Sequence, residues 1–101
     1  MFDKLLQAQQ MAEDIKKRLD NISVSAEVES GKIVMHATAN KKITGLTIDP
    51  EYLKSADAEQ LEELLIILIN KTLGQADSVS QSEMQAATRD MMGGLGDMFG
   101  K

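Results

Sequence analysis

Few residues of this chain offer a group that could move a proton, attack a substrate or hold a metal. His36 is the only histidine and there is no cysteine, so no nitrogen and sulfur ligand set of the zinc type can be assembled. In an alternating segment His36 shares a face with Val34 and Thr38, which suits a half-exposed sheet residue better than a general base. Aspartate and glutamate number 16, and chance neighbours such as Glu62 and Glu63 invite pairing. Adjacent positions on a helix point to different faces, so that pair reads as solvated surface. Met91-Met92-Gly93-Gly94-Leu95-Gly96 has the glycine density of a phosphate loop, but it follows a helix and lacks the Lys-Ser or Lys-Thr pair such loops use. Residues 93–101 are therefore read as a flexible Gly/Met-rich tail, in which Leu95, Met98 and Phe99 would be available as a hydrophobic contact. No catalytic residue, metal site or cofactor is expected, and hence no enzyme.

What remains is charge. A formal charge of −5 weighs against a general polyanion-binding surface, so any nucleic-acid contact must come from a local patch. Lys4, Met11 and Arg18 fall seven apart along one edge of the first helical segment, with Gln7 beside them and Lys16 and Lys17 on other flanks. Arg89 lies late in the chain; antiparallel pairing of the two end helices would return it to the Lys4 end. Lys4 and Arg89 would then line a tip, and Arg18 and Lys71 a base. The same cations are interspersed with Asp3, Glu13, Asp14 and Asp90, as on an ordinary solubilising surface. Charge alone leaves both readings open.

These residues must be carried by definite elements. Leu5, Ala8, Ala12, Ile15, Leu19 and Ile22 alternate spacings of three and four, a narrow seam that suits one partner helix better than a sheet. From Ser23 the period becomes two: Val24, Ala26 and Val28 alternate with polar residues. Ser30-Gly31-Lys32 turns into a second strand, Ile33 to Ala39, and Asn40-Lys41-Lys42 into a third, Ile43 to Ile48. Connections this short join antiparallel neighbours, which predicts a three-stranded meander. Asp49 and Pro50 suit an N-cap and first position of one helical turn, with Ile48 and Leu53 as its hydrophobic staple. Asp57, with Gln60 three residues on, then opens a long helix to about Met92, in which Gly74 is the place to expect a bend or break. Its thin distal stripe, Ala76, Val79, Ala87 and Met91, matches the first helix in length and width, so the two are expected to form an antiparallel arm.

The base of that helix is Leu64, Leu65, Ile66, Ile67, Leu68 and Ile69, apolar on every side. One small domain has no cover for all of it, and a second copy is the simplest supplier. The residues thus predict a single dimerising α+β domain over 1–92, with projecting arms. No apolar run is long enough to span a membrane, Asp3 and Lys4 precede any apolar run, and the lack of cysteine suits a reducing cytoplasm.

The opening Leu5-Leu6-Gln7-Ala8-Gln9-Gln10-Met11, the third strand Ile43-Thr44-Gly45-Leu46-Thr47-Ile48-Asp49-Pro50, the Leu/Ile-rich helix with Asn70 and the Met92-Gly93-Gly94-Leu95 tail resemble the YbaB/EbfC family, in order and over nearly the whole chain. The resemblance implies a bacterial nucleoid-associated protein of the cytoplasm, without enzymatic activity or cofactor: a tweezer-like homodimer whose arms hold double-stranded DNA. Asn40-Lys41 stands where the family often has Asn-Gly, a change of turn chemistry. The acidic balance predicts weak binding, and the lack of a short recognition helix with Asn, Gln and Arg grouped at its start predicts little base preference. The alternative expectation is a protein-interaction adaptor in recombination or replication, using the arms or the tail.

Overall fold

Residues 2–99 are described by the computed structural model, with side chains described for residues 3–89. The change of period at Ser23 has the expected result. β1 (Ser23–Val28), β2 (Ile33–Thr38) and β3 (Ile43–Ile48) form an antiparallel meander in that order. Val24 faces Ala37, Ala26 faces Met35 and Val28 faces Ile33, so one sheet face is apolar while Ser23, Ser25, Glu27 and His36 lie on the other. The first turn holds Glu29, Ser30 and Gly31 at positive φ, which Gly31, at +86°, adopts without strain. Lys41 stands at φ +70°, a left-handed conformation that costs an L-residue roughly 1–2 kcal/mol. Its ammonium meets Asp77 Oδ1 at 3.3 Å, an exposed pair that offsets part of that strain at most.

Helix α1 (Phe2–Asp20) enters the sheet, α2 (Pro50–Ser55) follows it, and α3 (Ala58–Phe99) leaves it. Asp49 caps α2 through its side chain, which accepts the Glu51 N–H at 3.2 Å, with Pro50 beginning the turn. Leu53, the staple residue expected opposite Ile48, is half exposed and outside the core cluster, which Tyr52 joins with Ile48. At the start of α3 it is the Asp57 carbonyl that takes the first N–H, from Leu61.

Ile33, Met35, Ala26 and Leu68 form one core cluster, with Leu61, Leu64 and Leu65 against it; Val24, Ala37 and Ala76 form the next. Helix α3 thus crosses the apolar face of β1 and β2. Thr72, also buried there, satisfies its hydroxyl by donating to the Leu68 carbonyl at 2.7 Å. No break interrupts α3 at Gly74: the helix is continuous over 42 residues, about 63 Å at ~1.5 Å per residue. A Cβ on Gly74 would meet nothing within 4 Å, so no neighbour resists the helical path. The helix also runs on to Phe99, past the Met92 at which periodicity ends it. The side chains of the expected tail lie outside those described. The result is a long molecule, 66 × 25 × 18 Å, with a radius of gyration of 19.4 Å. A compact chain of this length would have about 13 Å.

Candidate nucleic-acid interface

Beyond the sheet, α3 continues with α1 beside it. Leu19 is buried, Met11, Ile15 and Ala87 line one hollow, and Arg18 Nη1 sits 3.2 Å from Glu83 Oε2. Ile15 near Ala87 and Arg18 against Glu83 define an antiparallel register. Asn40 of the second turn braces the base of this arm, donating through Nδ2 to the Lys16 carbonyl at 2.9 Å and to Asp20 Oδ1 at 2.6 Å. The seam is closed only in its second half, since Leu5, Ala8 and Ala12 are exposed. The α3 segment that would face them carries side chains outside those described.

The cations expected at the site do not form one cluster. Lys4 and Gln7 are exposed on the first turns of α1. In the observed register Arg89 is level along the arm with Ala12 and Glu13, about 12 Å short of Lys4 in that direction, so the shared tip is not formed. Arg18 is occupied by Glu83, although an exposed ion pair is worth only about 0–1 kcal/mol and can be exchanged for another anion. Lys71 donates to the Glu27 carbonyl at the outer edge of β1 at 3.2 Å, and stands about 18 Å along α3 from the Arg18 contact. These cations are strung along an arm. Such an arrangement can follow a charged polymer but cannot enclose a small ligand.

No group of three or more histidine, cysteine or acidic residues could hold a metal among the described residues. His36 is exposed on the polar sheet face opposite Gly45. No described helix is long and apolar enough to cross a membrane.

The six apolar residues at the base of α3 divide three ways. Leu68 is wholly buried by its own sheet, which corrects the reading that all six lack cover within one chain. Leu64 and Leu65 are partly buried, while Ile66, Ile67 and Ile69 are 60%, 54% and 38% exposed. Two residues that periodicity did not single out join them. A bulge beside His36 and Ala37 places Ile43 opposite Ala37 and Leu46 opposite Met35, on the helix side of the sheet. Helix α3 lies mainly over β1 and β2, and Ile43 and Leu46 of β3 remain 43% and 47% exposed. The legible signal was the broken alternation of Ile43, Leu46 and Ile48.

The sequence profile of the YbaB/EbfC DNA-binding family matches residues 1–91. The chain belongs to this family. A nucleoid-associated protein of Flavobacterium johnsoniae is 38% identical, covering 88% of this chain and 82% of that one. Another, of Ruminiclostridium cellulolyticum, is 36% identical over 98% of this chain and 88% of its own length. The crystal structure of the uncharacterized protein HP0035 from Helicobacter pylori superposes with a TM-score of 0.65, covering 77% of this chain and 90% of that one; at 13% identity it supports the fold alone. In this YbaB/EbfC chain the arm is thus the extended part of a DNA-binding fold.

Proposed function

We propose that this chain is a nucleoid-associated protein of the cytoplasm that acts as a homodimer and holds duplex DNA with its helical arms, weakly and with little preference for base sequence, thereby affecting nucleoid organisation or gene expression. The observation that carries this reading is the family match, which spans sheet and arm together. Dimerisation is supported by the apolar side chains that one chain leaves open, Ile43 and Leu46 on β3 and Ile66 and Ile69 on α3. A second copy presents a matching surface, the self-complementary arrangement of a two-fold dimer. Weak binding follows from charge: −5 per chain doubles to −10 in the dimer, which repels a polyanion most where salt is lowest.

Titration of unrelated duplexes at low and moderate salt tests this directly. A similar shift on each duplex, fading as salt rises, supports it. An intact dimer that shifts no duplex at low salt refutes it, and salt-insensitive capture of a protein that needs residues 91–101 would favour the adaptor role.

A further inference from the structure

Between residues 71 and 89, α3 carries only two carboxylates, Asp77 and Glu83. Each is engaged by a cation from another element, Lys41 and Arg18 respectively. Gln81 Nε2 also donates to Asp77 Oδ2, at 3.1 Å. Neither acid shares a flank with Lys71, Gln75, Ser78, Ser82, Gln85 and Arg89. Their spacing of four, three, four, three and four holds these six within about 80° of helix circumference, at roughly 100° per residue. All six are exposed.

In an acidic chain this is a strip with a cation at each end, four uncharged hydrogen-bonding side chains between them and no carboxylate. It runs for about 27 Å, the axial length of about eight base pairs at ~3.4 Å each. Gly74 lies at its edge, a bare stretch of backbone for which no packing neighbour gives a reason, since a Cβ there would meet nothing within 4 Å. By contrast α1 mixes Asp3, Glu13, Asp14 and Asp20 with its four cations Lys4, Lys16, Lys17 and Arg18. Ile66, Ile69 and Leu73 lie on roughly the opposite side of α3, so pairing of two copies through those residues leaves the strip open in both.

We propose that this strip is the surface on which the phosphate backbone of duplex DNA lies. It rests on the DNA-binding reading above and says which face performs it and by what chemistry. The Gln75 and Gln85 amides and the Ser78 and Ser82 hydroxyls donate to phosphate oxygens, as uncharged side chains commonly do in protein–DNA contacts. Lys71 and Arg89 supply the ionic contacts. Affinity therefore depends on more groups than the salt dependence counts, because only cations release counterions.

The full-length protein is titrated on two unrelated duplexes of equal length over a range of salt, with dimerisation and helicity checked for each variant. Gln75→Ala with Gln85→Ala should weaken binding on the order of tenfold on both duplexes while leaving the salt slope unchanged. Lys71→Gln with Arg89→Gln should flatten the slope by about 0.9 for each phosphate no longer neutralised. Ser78→Glu with Ser82→Glu should abolish the shift, whereas Met84→Glu with Thr88→Glu, the same charges at the same spacing on another exposed flank, should leave most of it. Equal loss in both glutamate pairs would reduce the effect to net charge and overturn the strip, as would wild-type affinity in the glutamine pair. Failure of the wild-type dimer to shift either duplex would overturn the DNA reading itself and the strip with it.

Discussion

Tyr52 is the only tyrosine, and its ring joins the core cluster while Lys32 Nζ stands 5.8 Å from the ring centroid. The hydroxyl is shielded from solvent and has no hydrogen-bond partner among the described residues. Shielding first, and the Glu29 carboxylate second, raise its pKa above the ordinary 10.0, because both disfavour the phenolate. A raised pKa in the folded state favours the protonated form, so this contribution is present below the unfolded value and is lost as pH climbs through the folded one. Absorbance titration should accordingly show the tyrosine ionising above pH 10 in native protein and near 10 in denaturant, with the fold weakening across that alkaline interval. Ionisation at the same pH in both states would show that the hydroxyl is not shielded. Residue-scale strain of the other kind sits at Lys41, where the turn accepts a left-handed lysine and recovers an ion pair to α3.

At the scale of elements, α3 is the decisive unit because one unbroken helix serves both sheet and arm. Gly74 is the residue that weakens it, exposed and with open space where a side chain would go. Gly74→Ala should raise the free energy of unfolding by about 1 kcal/mol, the propensity difference in a helix interior, read as a higher denaturant midpoint with unchanged slope. A lower midpoint would mean that something needs the bare backbone in the free protein. The pairing of α1 with α3 predicts a different signature. Ile15 is half-buried beside Ala87, so Ile15→Ala should destabilise the arm by about 2 kcal/mol, the lower end for such truncations. Amide exchange should rise together in residues 5–20 and 76–89 while the sheet stays protected. A rise in only one segment would refute the pairing.

Considered as a whole, the molecule combines a small sheet, covered on one face across two of its three strands, with a helix that outruns it. The uncovered remainder is where a second copy is expected. Ile66→Asp with Ile69→Asp should convert a sedimenting dimer to a folded monomer, because both side chains are exposed within one chain and the new charges stay hydrated there. Leu68→Asp should instead unfold the protein, since that side chain is wholly buried by its own sheet. A dimer that survives the isoleucine pair would place the interface elsewhere.

Local patterning determined the elements. The period of two from Ser23, the short turns and the Asp49-Pro50 cap are nearest-neighbour properties, and they predicted the meander, the helical turn and the two long helices in order. Which residues are covered was decided by three-dimensional placement. Leu64 to Ile69 look alike as a string, yet packing mainly on β1 and β2 buries Leu68 and leaves Ile66, Ile67 and Ile69 exposed. The cations behaved the same way. Their positions on a helical wheel follow from sequence, but what each meets depends on what the fold brings opposite: Glu83 for Arg18 and the Glu27 carbonyl for Lys71, while Arg89 stays exposed at the level of mid-α1, away from the Lys4 tip. Periodicity reports the face a residue occupies within its own element; a partner distant in sequence exists only once the elements are packed.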